Sequence, residues 1–226
     1  MSLKLFYDLL SQPSRALYIL FKVNKIPFEA RPVNLREGEH FSEDFKQNFN
    51  RFQKVPFIHD KDFILSESVA IVRYISREYG LSEELYPKDS KQQALVDEYL
   101  EWQHNNTRLY CAMYTYEKVF MPMLTGQEPD QKIITRYAKG IKKTMDSIEN
   151  LWLRENKFIC GNKVTVADLF AACEIEQPRI TGLNPVAGRP KLEEWLNTIR
   201  KEFDPFYSEA HQILNKLSSK NEKAKL

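Results

Sequence analysis

The chain has 226 residues, 42% hydrophobic and 28% charged, with Lys+Arg 33 against Asp+Glu 31. That length and balance fit one large or two small globular domains and exclude a disordered or fibrous chain. They leave no basic field for nucleic acid, and no apolar run nears the ~20 residues that span a bilayer.

In chain order, Leu3 to Tyr7 is a predicted strand, and Leu17, Ile19, Leu20 and Val23 fall at helical spacing in the segment 15–23. Phe28 to Val33 gives a second strand, followed by a polar loop from Asn34 to His40. Ser42-Glu43-Asp44 opens a short helix, with its acids in the first turn where the helix dipole favours them. Phe57-Ile58-His59 and Phe63-Ile64-Leu65, split by Asp60-Lys61-Asp62, read as an antiparallel hairpin. Pro56 just before it cannot donate to a sheet, and its peptide bond is open to the cis form. A helix then starts between Ser66 and Ser68 and stops at Gly80. Its free N–H groups and dipole suit a carboxylate. The order is β-α-β-α-β-β-α over about eighty residues.

Residues 81–89 are the expected linker, since no strand-like run follows them. From Ser90 the pattern is helical. Leu95, Tyr99, Trp102 and Asn106 mark one face of a long helix that Phe120-Met121-Pro122 is expected to kink or end. Pro129-Asp130 starts the next, running to Asn156. Thr165-Val166-Ala167-Asp168 has capping-box spacing, with Asp in place of the usual Glu or Gln. The helix it opens is expected at the centre of the second core. Further helices follow Gly188-Arg189-Pro190 and Asp204-Pro205, and Lys216 to Leu226 is expected as a frayed tail.

Three cysteines, Cys111, Cys160 and Cys173, are far apart and lack Cys-x-x-Cys spacing. They are expected to be reduced packing residues, with no metal site and no disulfide framework. Lys4 and Asp8 interrupt any apolar leader core, so a cytoplasmic location is expected.

Two stretches carry a resemblance. Asp8-Leu9-Leu10-Ser11-Gln12-Pro13-Ser14-Arg15, together with Val55-Pro56 and Glu67-Ser68, resembles the glutathione transferases, and the first stretch looks most like their theta class. The likeness covers the chain from Leu3 to about His211. It implies an α+β thioredoxin-like domain over residues 1–80 that binds glutathione, then an all-α domain over residues 90–226 that supplies a hydrophobic substrate site. It also implies a homodimer with glutathione as co-substrate and no metal or bound redox cofactor.

Ser11 stands at the strand-to-helix turn where thioredoxin-like folds carry a redox cysteine pair; here Ser11 and Ser14 take that spacing. Taken alone, Ser11 reads as a plain helix N-cap. In the theta pattern the serine before Gln-Pro is catalytic, its hydroxyl donating to a borrowed thiolate; Ser14 ranks second for that role. Lowering a thiol from its usual ~8.5 by ~2 units takes ~2.7 kcal/mol. Because nucleophilicity falls with basicity, ionisation alone returns only roughly threefold in rate at neutral pH, so positioning beside an electrophile has to supply more.

The resemblance assigns Glu67 and Ser68 to the γ-glutamyl end of glutathione, the Val55 main chain to its cysteinyl part, and His40 and Lys54 to its glycyl carboxylate. Arg108 corresponds to an arginine near the active site, with an ordinary salt bridge as its other reading, and Arg15 is open between structure and charge tuning. Met113 and Tyr116 are candidates for the electrophile pocket, or for core. Asn105 stands where some relatives carry an acid, and the chain stops short of the extension that covers the site in others.

Overall fold

The computed structural model describes residues 3–223. β1 (Lys4–Tyr7), α1 (Gln12–Val23) and β2 (Glu29–Pro32) make a parallel crossover; α2 (Glu43–Asn48), β3 (Phe57–Asp60), β4 (Phe63–Ser66) and α3 (Ser68–Ile75) follow. Sheet order is β2-β1-β3-β4, with β1 parallel to β2 and antiparallel to β3. Alternation along β1 gives the sheet two dry faces. Leu5 joins the main core with α1 and α3, while Phe6 stacks on Phe57 at 4.3 Å beside Phe45 of α2. This is the thioredoxin-like arrangement that the resemblance implied.

The hairpin closes more tightly than its sequence suggested. Asp60 pairs with Phe63, leaving Lys61 and Asp62 as the turn, with Lys61 at φ 57°. Val55–Pro56 and Asp204–Pro205 are cis.

The helical part comprises α4 (Ser90–Trp102), α5 (Thr107–Thr115), α6 (Met121–Thr125), α7 (Gln131–Ser147), α8 (Val166–Glu176), α9 (Pro190–Glu202), α10 (Phe206–Ala210) and α11 (Gln212–Lys223). Every residue of α8 is buried, which gives it the central place expected of it. Its start is held by Asp168, whose carboxylate accepts from the N–H groups of Ile159 (2.9 Å) and Thr165 (3.0 Å), the Thr165 hydroxyl (3.1 Å) and the Trp195 indole (3.0 Å). Four donors compensate a carboxylate fully removed from water.

Three expectations fail. The single helix after Ser90 is broken between Trp102 and Thr107, where Asn106 leaves helical geometry at φ −127°, ψ −93° and its amide donates to the Trp102 carbonyl at 2.9 Å. A side chain that satisfies a helix-end carbonyl competes with helix continuation. Pro122 ends nothing, because it sits in the first turn of α6 after a wide helical turn at Tyr116–Phe120, and Gly126 at φ 69° stops the helix. The expected frayed tail is helical instead. α11 runs through Lys223 with Leu214 and Ser218 buried, its apolar residues Ile213, Leu214 and Leu217 packing with Leu10 and Ile180. Those three residues keep helical spacing across the point where the tail was expected to begin; residues 224–226 of that expectation lie outside the described residues.

Candidate active site

The pairing register brings the functional stretches together. Phe57 sits opposite both Phe6 and Ser66, so one end of the sheet collects the chain leaving β1 toward Ser11, the Lys54-Val55 approach to β3, and Glu67-Ser68 leaving β4. Asn50 ties this end laterally. Its amide donates to the Lys54 carbonyl at 2.7 Å, while its Oδ1 accepts from the Ser66 hydroxyl at 3.0 Å and the Phe52 N–H at 3.1 Å.

Glu67 is the N-cap of α3 at φ 70°, ψ 112°, a conformation that side chains other than glycine rarely adopt. Strain of this kind persists where the surrounding structure enforces it, commonly at ligand clamps. The first N–H groups of α3 are turned off the same end of the sheet.

Ser11 is the N-cap of α1, half-buried, and its hydroxyl makes no capping bond. It lines a cavity of about 360 Å³ with Leu10, Gln12, Leu35 and His40 on one wall and Ala112, Met113, Tyr116, Phe120, Met123 and Leu124 on the other. Met113 and Tyr116 therefore face the same space as Ser11. Ser14, fully buried with its hydroxyl unpartnered, is out of reach of anything in that space. The His40 ring meets that of Phe41 at a tilt, centroids 3.8 Å apart, its Nδ1 has no partner among the described residues, and burial pulls its pKa down. Gln53 donates to the His40 carbonyl at 3.1 Å.

Arg15 is fully buried and spent on carbonyls and an amide. Nη1 donates to Leu9 (2.8 Å) and Leu10 (3.3 Å), and Nη2 to Cys173 (3.0 Å) and to Oε1 of Gln177 (2.6 Å). Its role is to hold the Ser11 turn and α8 together. Arg108 does not line the cavity; it is paired with the buried Glu174 carboxylate at 2.8 Å. Asn105 lies in the helical turn Gln103–Asn105 before the break. The cysteines are free: Cys111 and Cys173 are buried, and burial pushes the thiols of Cys160 and Cys173 up to about 12.

Sequence reasoning missed Asp8, Gln12, Asn50, Gln53 and Gln177. Asp8 and Gln12 stood inside the quoted motif, whereas Asn50, Gln53 and Gln177 act through pairings that no spacing announces.

A thioredoxin-like sheet whose functional end opens into an apolar cavity walled by a following helical domain defines the class of glutathione transferases. Residues 1–77 match the family model described as glutathione S-transferase, N-terminal domain, and residues 111–202 the corresponding C-terminal domain. Glutathione S-transferase theta-1 of Bos taurus is 39% identical over 217 residues, covering 96% of this chain and 90% of the relative. The human transferase T1-1 structure, in its apo form, superposes with a TM-score of 0.90 at 38% identity, covering 96% of this chain and 91% of that one. A human theta-class enzyme in complex with the glutathione conjugate of 1-menaphthyl sulfate gives 0.92 at 36% identity, covering 100% and 92%. The chain belongs to the glutathione S-transferase family, among relatives of the theta class.

Proposed function

We propose that the protein binds glutathione across the end of its sheet, stabilises the thiolate with the Ser11 hydroxyl, and joins it to a small hydrophobic electrophile held in the cavity. The observation that carries this is a serine hydroxyl at a helix N-terminus, uncommitted to capping, facing an apolar space. The γ-glutamyl end is assigned to Glu67, Ser68 and the N-terminus of α3, where a carboxylate meets free N–H groups and the Glu67 carboxylate accepts from the ammonium. The Val55 main chain pairs with the cysteinyl part as an added strand would. His40 and Lys54 take the glycyl carboxylate. Arg108, already paired with Glu174, contributes at most field strength to the sulfur.

In the reaction the thiol proton leaves, the sulfur lone pair attacks the electrophilic carbon, and the leaving group departs with the bonding electrons. The same thiolate could reduce a peroxide or assist halide elimination as side reactions. The protein acts as a cytosolic homodimer.

Ser11→Ala tests the assignment. Losing one charge-assisted hydrogen bond is expected to lower kcat/KM about ten- to a hundredfold, roughly threefold of it through ionisation and the rest through loss of the sulfur's orientation. Because Ser11 makes no capping bond, unfolding free energy should stay within about 0.5 kcal/mol of wild type. A variant that matched wild type on a set of aryl and alkyl halides would remove Ser11 from the mechanism and leave a glutathione-binding module instead.

A further inference from the structure

The peptide bond that leads into Ser11 is held at both ends. Its N–H, that of Ser11, donates to the Asp8 carbonyl at 2.9 Å. Its carbonyl, that of Leu10, accepts from the Gln177 amide at 3.0 Å and from Arg15 at 3.3 Å. Asp8 braces the same turn with its side chain, accepting from the Leu10 N–H at 2.8 Å and the Leu35 N–H at 3.1 Å. Asp8 and Arg15 belong to the same domain as Ser11. Gln177 does not: it follows α8 directly, in a short helical turn, and is 2% exposed.

Gln177 is also the residue through which these contacts close on one another. Its Oε1 accepts a hydrogen bond from Arg15 Nη2 at 2.6 Å while its Nε2 donates to the Leu10 carbonyl that Arg15 shares. The loop Leu10–Gln177–Arg15 thus closes through both Arg15 Nη atoms and both ends of the Gln177 amide, with only the Arg15 Nε left without a partner among the described residues, and it is shut off from water except at the cavity wall, which Gln177 helps to line. In such a buried network each bond stiffens the others.

We infer that Gln177 is a positioning residue for Ser11, through which the helical domain fixes the orientation of the thiolate-binding hydroxyl. This rests on the assignment of Ser11 above. Rotation of the Leu10–Ser11 peptide swings the Ser11 Cα–Cβ bond, and a donor displaced by about 1 Å from a sulfur anion gives up much of its effect on the reacting atom. Gln177 bonds none of the groups assigned to glutathione, so its loss should act on the ionisation of bound glutathione rather than on its affinity.

The test pairs Gln177→Met with Ser11→Ala and the double variant. The pH at which bound glutathione ionises is followed by thiolate absorbance, and turnover is measured with a halogenated aryl substrate. Gln177→Met is expected to move that ionisation upward and to lower kcat at neutral pH by up to about threefold, with KM for glutathione within about twofold. In the Ser11→Ala background the same substitution should do nothing further, the signature of two residues acting as one unit. If Gln177→Met does not fold, Gln177→Asn, an amide too short for both contacts, carries the same comparison. A variant that lowers Tm but leaves the ionisation and the pH profile of kcat in place would overturn the inference and make Gln177 a structural strut. An effect that persists unchanged without the Ser11 hydroxyl would overturn it too. Should Ser11→Ala itself leave ionisation unmoved, the Ser11 assignment falls, which separates the two failures.

Discussion

At the scale of single residues, the two serines of the strand-to-helix turn show how little separates a cavity-facing group from a packed one. Ser11 and Ser14 are three positions apart, yet one faces the cavity and the other is fully buried. Buried His211 makes the consequence of such placement measurable. It stacks on Tyr207 at 4.0 Å and its Nδ1 meets the Tyr207 carbonyl, with Arg15, Arg179 and Glu176 around it. Burial first, then the nearby Arg15, pulls its pKa from 6.5 to about 3. The unfolded chain therefore takes up a proton that the fold refuses. The contribution of His211 to stability is whole above 6.5 and drains away as pH falls toward 3, amounting to about 2 kcal/mol by about pH 5. Denaturant titrations of His211→Phe, which keeps the ring stack, should show a shallower loss over that interval than wild type. Equal slopes would contradict the placement.

Among elements, the contact between α5 and α7 shows where a residue-level rule gives way to packing. Gly140 lies inside α7, where helix propensity alone would make Ala better by roughly 1 kcal/mol. A Cβ there would fall inside the Tyr110 ring of α5. Overpacking of that kind costs about 1–3 kcal/mol and decides the sign, so Gly140→Ala should lower Tm, and Gly140→Ala with Tyr110→Ala should recover part of the loss. Element types were legible in the sequence wherever apolar spacing ran unbroken, as in β1, the hairpin, α7 and α8. The break at Asn106 was not, because the segment before it keeps its apolar face and the interruption comes from one amide choosing the Trp102 carbonyl. α11 was missed for the opposite reason: its charged face outweighed three apolar residues whose partners, Leu10 and Ile180, come from elsewhere in the chain.

On the scale of the molecule, the two halves are locked by contacts that motif reading could not supply. Arg15 reaches the Cys173 carbonyl, and the Tyr18 hydroxyl donates to Glu209 at 2.6 Å. Ser11, Val55 and Glu67-Ser68 each stood in a short run that could be read by itself, whereas their gathering at one end of the sheet came from the strand register; of the wall opposite Ser11, only Met113 and Tyr116 were singled out. Elsewhere the surface keeps Phe52 and Ile64 about half exposed, both lining a cleft that includes Glu67. Large apolar side chains grouped in this way mark an interaction surface, and it supports the proposed homodimer. Sedimentation equilibrium should give twice the chain mass for the wild type and a shift toward monomer for Ile64→Lys; a wild-type monomer at all concentrations would remove the dimer.

The cavity draws its walls from both parts of the chain, the sheet side bearing Ser11 and His40, the helical side running from Ala112 to Leu124 with Gln177 added to it. On the proposed function, sulfur chemistry and guest selection then fall to different segments. Mutation can rewrite the second, trading Met123 or Phe120 for smaller or bulkier neighbours, while the first keeps its geometry. A scaffold so divided can acquire new foreign compounds as clients without relearning how to ionise a thiol.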